Sequence, residues 1–264
     1  MSELLKRDLA DGILTLTLSR PEARNALDLA AVEALHAAFD AAEKDSAVGV
    51  IVLTGDPQPN QPPEKQVFIS GADIRQLKER TVTDAFRAIN SGLFRKVADF
   101  PKATIAAMAG SAFGGGLEIA LACDLRVAAS ECRYGLTETG LGILPAAGGT
   151  QRLPRLIGLG RAKEMILTGK LVDAAEAERI GLVTKAVPCT QVLTSARELA
   201  KTVQSRGPLA IRLAKRAMDM SSSLSVPDGL YLEVLSQGAT FGSTDKVEGM
   251  TAFLEKRKAK FTGA

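Results

Sequence analysis

The chain is short of the residues that most often carry catalysis. Its 264 residues include a single histidine, His36, no tryptophan, two tyrosines and three cysteines. A Ser–His–Asp arrangement would depend on His36 alone, which sits in an alanine-rich helical pattern and reads as an ordinary helix residue. Cys123, Cys132 and Cys189 are odd in number and have no C-x-x-C spacing. That argues against a disulfide framework or a metal site and fits reduced thiols in a cytoplasmic protein. No uninterrupted apolar run of about 18 residues is present, so no membrane span is expected. The opening MSELLKRDLADG contains acids and no long apolar core, unlike a signal or transit peptide. An excess of one charge is missing too. Thirty-three Lys and Arg face thirty Asp and Glu, a net charge of +3, which gives no push towards nucleic acid or a membrane surface. Phosphate-loop and G-x-S-x-G spacings are absent, and SAFGGGLE does not follow the dinucleotide pattern G-x-G-x-x-G.

What is present is an alternation of strands and helices. Residues 4–9 and 13–18 flank Asp11-Gly12, a hairpin dipeptide, and in the second run Leu14, Leu16 and Leu18 form one face for a core. Asp28 reads as the N-cap of a helix to about Lys44. Residues 48–54 form a buried strand, and 56–66, with four prolines, an exposed loop. A short strand at 67–69 runs into the turn Ser70–Ile74. Helix patterns follow at 83–100, strands at 104–108 and 124–129 (extended by 132–135), and a helix at 155–168. From about residue 190 the pattern is helical throughout. The expectation is an α/β protein with largely parallel strands, divided into a core over 1–190 and a helical region over 191–264. No repeat of fixed period is visible.

The stretch 106–122, AAMAGSAFGGGLEIALA, is the most informative. An apolar strand gives way to Gly114, Gly115 and Gly116, then to an apolar helix interrupted by one carboxylate, Glu118. A helix opening on glycines offers free N–H groups at its positive end, suited to an anion or a developing oxyanion. Glu138, between Gly135 and Gly140, is a second acid among small and apolar residues. Two carboxylates in such surroundings suit acid–base work, because burial and mutual repulsion drive their pKa values apart. The turn at Ala72 offers another free amide, and two converging amides would make an oxyanion hole.

In order along the chain stand Arg20-Pro21 with Asn25-Ala26-Leu27, Phe68–Ile74, Gly114–Glu118, Ala122-Cys123-Asp124, Glu138, Pro145 with Gly148–Leu153, Leu167-Thr168-Gly169, and Glu248-Gly249-Met250 with Phe253–Arg257. Together they resemble the crotonase, or enoyl-CoA hydratase/isomerase, superfamily over nearly the whole chain. The resemblance implies a ββα superhelical core with a C-terminal helical trimerisation region, and assembly as a trimer or a dimer of trimers. It implies that the Ala72 and Gly115 amides hold the thioester oxygen of an acyl-CoA while Glu118 and Glu138 handle a water. Coenzyme A is then part of the substrate, with no separate cofactor, and is contacted around Arg24, Ala26, Ala72, Asp73, Ile74, Arg75 and Gly115. Phe253 and Lys256 would reach the ligand from a neighbouring subunit. Two glutamates favour hydration of a trans-2-enoyl-CoA; a 3-methylglutaconyl-CoA hydratase and a Δ3,Δ2-enoyl-CoA isomerase are the alternatives. Departures are small: Ser70 and Pro145-Ala146-Ala147 stand where alanine and glycine are common, and the loop 56–66 is long. The basic residues of 75–102 are interleaved with acids and lack stacking Tyr or Trp, so RNA binding is not expected.

Overall fold

The computed structural model describes residues 4–264. Strands β1 (Leu5–Ala10) and β2 (Ile13–Leu18) form an antiparallel hairpin. Asp11 and Gly12 both adopt positive φ, 52° and 72°, the conformation that matches a tight turn to strand twist. Asp28 caps helix α1 (Leu29–Lys44) by accepting from the Ala31 amide, and the helix buries Val32, Leu35 and Phe39.

A strand–strand–helix unit then occurs three times. The first comprises β3 (Val50–Gly55), β4 (Val67–Ile69) and α2 (Ile74–Glu79), followed by α3 (Val82–Phe86) and α4 (Ile89–Ala98). The second is β5 (Ala103–Met108), β6 (Ser111–Phe113) and α5 (Gly115–Ala122). The third is β7 (Leu125–Ala129), β8 (Arg133–Gly135) and α6 (Gly149–Ile157). The chain continues through α7 (Leu159–Thr168), β9 (Val172–Asp173), α8 (Ala174–Arg179) and β10 (Lys185–Val187). It ends in α9 (Val192–Gln204), α10 (Pro208–Met220), α11 (Val226–Phe241) and α12 (Thr244–Leu254). First strands of each unit lie in a sheet of order β1-β2-β3-β5-β7-β10, second strands in a sheet of order β4-β6-β8-β9. Pairing is parallel except for β1 with β2 and β9 with β8. The result is a spiral of ββα turns, in agreement with the expected α/β superhelix.

Several sequence expectations need correction. Residues 132–135 do not extend β7; the chain turns there and β8 joins the other sheet. The helix expected over 83–100 is two, broken at Ala88, whose φ is 52°, and that over 155–168 breaks at Gly158 with φ 85°. Strands β6 and β9, of three and two residues, carry too little pattern to be read. The proline-rich loop is not wholly exposed. Gln58 and Gln66 are buried within it because each accepts a backbone amide, from Val67 at 2.6 Å and from Gln58 at 2.8 Å. Nor is only the leucine face of β2 covered: Thr15 is buried too, under Arg197 of α9, which donates to its hydroxyl at 2.9 Å.

Helix α9 buries Val192, Ala196 and Ala200, so close packing continues past residue 190 as far as Ala200. The following helix is tied to the core by charge. Lys215 of α10, itself buried, meets Asp124 at 2.9 Å, and Asp124 also accepts from the Thr104 amide at 2.8 Å and hydroxyl at 3.1 Å. Asp124 keeps the Thr104 bonds if the lysine is removed, and it is partly solvated. Lys215→Met should therefore lower unfolding free energy by about 2 kcal/mol, less than the roughly 3–5 kcal/mol of a fully buried broken pair. Urea denaturation checks this, and an unchanged midpoint would show that α10 docks without the ion pair.

Candidate active site

Two turns meet at the centre of the spiral. The first follows β4. Gly71 has φ 107°, and Asp73 caps α2 by accepting from the Arg75 amide at 3.0 Å. The loop 24–27 lies along this turn, with Leu27 donating to the Gly71 carbonyl at 2.8 Å and Ser70 to the Arg24 carbonyl at 3.2 Å. Asn25, wholly buried, donates its amide to the carbonyls of Asp56, Val67 and Phe68. Arg20 pairs with Asp28 at 3.0 Å and Asp73 at 3.7 Å, the caps of α1 and α2. The sequence marks the Asp28 cap but neither the Asp73 cap nor the guanidinium that joins them, so Arg20 had no assigned role.

The second turn opens α5. Gly114 adopts φ 50°, ψ −127°. A Cβ on Gly115 would stand 3.4 Å from the Ala72 nitrogen, and one on Gly116 would lie 1.7 Å from the Ile69 carbonyl oxygen. The Gly116 position admits only glycine. The close approach sets the Ala72 and Gly115 amides side by side, and among the described residues neither donates to a protein acceptor. Both line a cavity of about 540 Å³ together with Glu118 and Glu138. Its far wall is largely apolar, including Leu77, Ala85, Ile89, Leu141 and Leu144.

The two glutamates are held differently. Helix α5 is buried from Gly116 to Ala122, so Glu118 faces protein, not solvent. Its Oε1 accepts from the Ala147 and Gly149 amides, both at 2.8 Å. Burial raises its pKa; the two amides and the Arg152 charge oppose that rise. Glu138 begins a short 3₁₀ turn, Glu138–Leu141, pinned to α7 by the Thr139 hydroxyl, which donates to the Ile166 carbonyl at 2.8 Å. Its Oε2 is buried without a hydrogen-bond partner. Burial pushes its pKa to about 7, and the Glu118 charge adds to the rise. A carboxyl group near 7 can both take up and return a proton under ordinary conditions.

Other expected contacts are dispersed. Ile74 lines the cavity with Ala72 and Gly115, whereas Arg24, Ala26, Asp73 and Arg75 do not. Arg24 and Ala26 belong to the loop bound along the first turn: the Arg24 carbonyl accepts from Ser70, and the Ala26 carbonyl accepts from Arg20. Asp73 serves as a helix cap, and Arg75 is exposed on α2. Phe253 and Lys256 are exposed at the end of α12 and do not line this cavity.

The raised pKa of Glu138 has a thermodynamic consequence. The folded state holds this proton more tightly than the unfolded state, so the contribution to stability is full below the ordinary carboxyl value and is lost as pH rises towards 7. Glu138→Gln should leave stability nearly unchanged at pH 4–5. At pH 8 it should raise stability by on the order of 3 kcal/mol, from the 4.5-to-about-7 displacement. Thermal unfolding at both pH values checks this, and equal Tm differences at the two would contradict it.

Comparison with known proteins agrees with this geometry. A family model described as enoyl-CoA hydratase/isomerase matches residues 8–264. The chain is 38% identical to a short-chain-enoyl-CoA hydratase of Clostridium acetobutylicum, over 93% of this chain and 92% of that one. It is 39% identical to a crotonyl-CoA hydratase of Syntrophomonas wolfei, over 94% of each. Its backbone matches the crystal structure of an enoyl-CoA hydratase from Bacillus anthracis with a TM-score of 0.92 at 36% identity, covering 99% of this chain and 100% of that one. A spiral of ββα units, two glycine-bounded turns brought amide to amide, and this likeness along nearly its full length place the chain in the enoyl-CoA hydratase/isomerase family.

Proposed function

We propose that the protein is a hydro-lyase that adds water across the 2,3 double bond of a trans-2-enoyl-CoA to give the 3-hydroxyacyl-CoA. The observation that carries this reading is the buried, unpartnered Oε2 of Glu138 in the same cavity as Glu118 and the two free amides. An isomerase needs one base; this cavity holds two carboxylates, one of them fixed by backbone and one left to exchange a proton. The names of the relatives point the same way.

In this reading the thioester oxygen accepts from the Ala72 and Gly115 amides, which stabilise the enolate-like charge that develops there. Each such donor is typically worth roughly 2.7–4 kcal/mol in the transition state. Glu118, fixed through Oε1, orients the water with its remaining oxygen. Glu138 takes the water's proton as the oxygen bonds to C3 and returns a proton to C2 on the same face. All atoms of the water enter the product, so the chain calls on no cofactor beyond the coenzyme A of its substrate. Coenzyme A would pass along the loop that holds Arg24 and Ala26 and the start of α2 at Asp73 and Arg75.

The assembly proposed is a trimer or a dimer of trimers. Its support is the exposed apolar surface of α11 and α12, where Tyr231, Val234, Leu235, Phe253 and Leu254 are each more than half exposed. Exposed apolar area on this scale marks an interaction site. Phe253 and Lys256 would then approach a neighbouring subunit's cavity. Among the described residues no helix is long and apolar enough to cross a membrane; a cytoplasmic location is proposed from the three free thiols.

Loss of absorbance at the enoyl thioester band on mixing with crotonyl-CoA tests the reading, and a series of chain lengths and 3-methylglutaconyl-CoA define the range. Glu138→Gln should lower kcat by at least about 10²-fold, the lower end for a positioned acid–base group, with KM little changed. Near-normal turnover in that variant would remove Glu138 from the chemistry, and double-bond migration without hydration would favour the isomerase.

A further inference from the structure

The turn that holds Glu118 is itself held by a cation. Arg152, in the first turns of α6, donates from Nη1 to the Ala147 carbonyl at 3.0 Å and from Nη2 to the Phe94 carbonyl of α4 at 3.4 Å. Ala147 also supplies one of the two amides on Glu118. Carboxylate and guanidinium therefore grip the same residue, one at its N–H and the other at its C=O. Gly148 has φ 113°, and a Cβ there would lie 2.0 Å from Arg152 Nη1; the glycine leaves the space that the guanidinium fills. Gly149, the other donor to Glu118, is confined too, since a Cβ on it would stand 3.0 Å from the carboxylate. Among the described residues Arg152 forms no ion pair within 4.0 Å, so its charge is not consumed by an adjacent carboxylate.

We propose that Arg152 is a positioning residue for Glu118. It fixes the Ala147–Gly149 turn and keeps the Glu118 carboxylate charged in its place, so that the proton exchanged with the substrate water is carried by Glu138. The inference rests on the hydratase reading for its catalytic meaning, though not for its physical content. The groups that face the pair are few. Arg152 acts on Glu118, and Glu118 on Glu138. Asp99 at the end of α4, Asp219 on α10 and the Cys123 thiol also act on Arg152. Asp99 is engaged by Arg95 and Arg216. A purely structural brace would alter folding without altering how the pair titrates; a charge that governs the pair must do both.

Carboxyl ¹³C NMR of glutamate-labelled protein decides this. The two resonances are assigned by their loss in Glu118→Gln and Glu138→Gln. In Arg152→Gln the titration of the pair should move upward by about one unit, the size expected for removing one charge nearby in a partly screened interior. In Arg152→Lys, which keeps the charge and loses the fork, it should stay near the wild-type position. In crotonyl-CoA hydration the acid limb of kcat/KM should shift to higher pH for Arg152→Gln alone. In both variants kcat should fall by about tenfold or more, with KM changing less. A wild-type titration in Arg152→Gln overturns the proposal. Should Arg152→Gln fail to fold, Arg152→Lys decides: an unmoved acid limb with reduced kcat supports the proposal, and undiminished kcat overturns it. Failure of the wild type to hydrate crotonyl-CoA would refute the hydratase reading, while the NMR titration would still decide whether Arg152 governs the pair.

Discussion

The constraint on which the site depends is the approach of α5 to the end of β4. Backbone meets backbone there with no side chain between, and Gly116 presses against the Ile69 carbonyl at a distance that leaves no room for a Cβ. Because of that approach, an amide that follows one strand and an amide that opens a helix become neighbours. A helix start already supplies a partial positive charge and unsatisfied donors. A second donor from an independent turn gives that charge a direction. The loop 24–27, with Asn25 and Arg20 behind it, holds the first turn from the outside, so neither amide depends on its own segment alone.

Against this rigid backbone the carboxylates illustrate two ways of burying an acid. Glu118 accepts from two backbone amides, which offset part of the cost of burying its charge. Glu138 has a buried oxygen without a partner, and its charge is resisted. Unsatisfied buried groups are expensive, and their persistence in a folded protein is most economically understood as stability given up to keep a group reactive. The difference between the two environments, more than either alone, makes the pair asymmetric.

The pieces of the site were readable before their arrangement. Asp11-Gly12 and the Asp28 cap are local signals, and the structure follows them. Gly115, Glu118, Ala72 and Glu138 stood out individually because glycine clusters and isolated acids among apolar residues are unusual. Their meeting is tertiary, and no local pattern encodes it; only the order of motifs along the chain, matched to a family, hinted at it. The spiral was expected only from the resemblance, because its repeat leaves no period in the sequence. Its three first strands begin at residues 50, 103 and 125, so equivalent units are separated by unequal lengths and no period survives. The break at Ala88 gave no warning because alanine favours continued helix, yet the backbone there is left-handed. Arg152 was visible as part of a motif, but its grip on Ala147 depends on how α6 folds back over the turn.

The wall of the cavity formed by α2 and α3 is built to a different standard from its floor. Helices α2 and α3 bury no residue at all, and their junction with α4 turns on a single left-handed alanine. The floor, by contrast, is carried by α5 and by the turns that follow β4 and β6, elements in which nearly every residue is buried. Selection can therefore revise the wall by ordinary surface substitution, at little risk to folding, while the floor tolerates almost none. The cavity thus joins a mutable margin to a fixed endowment of the core.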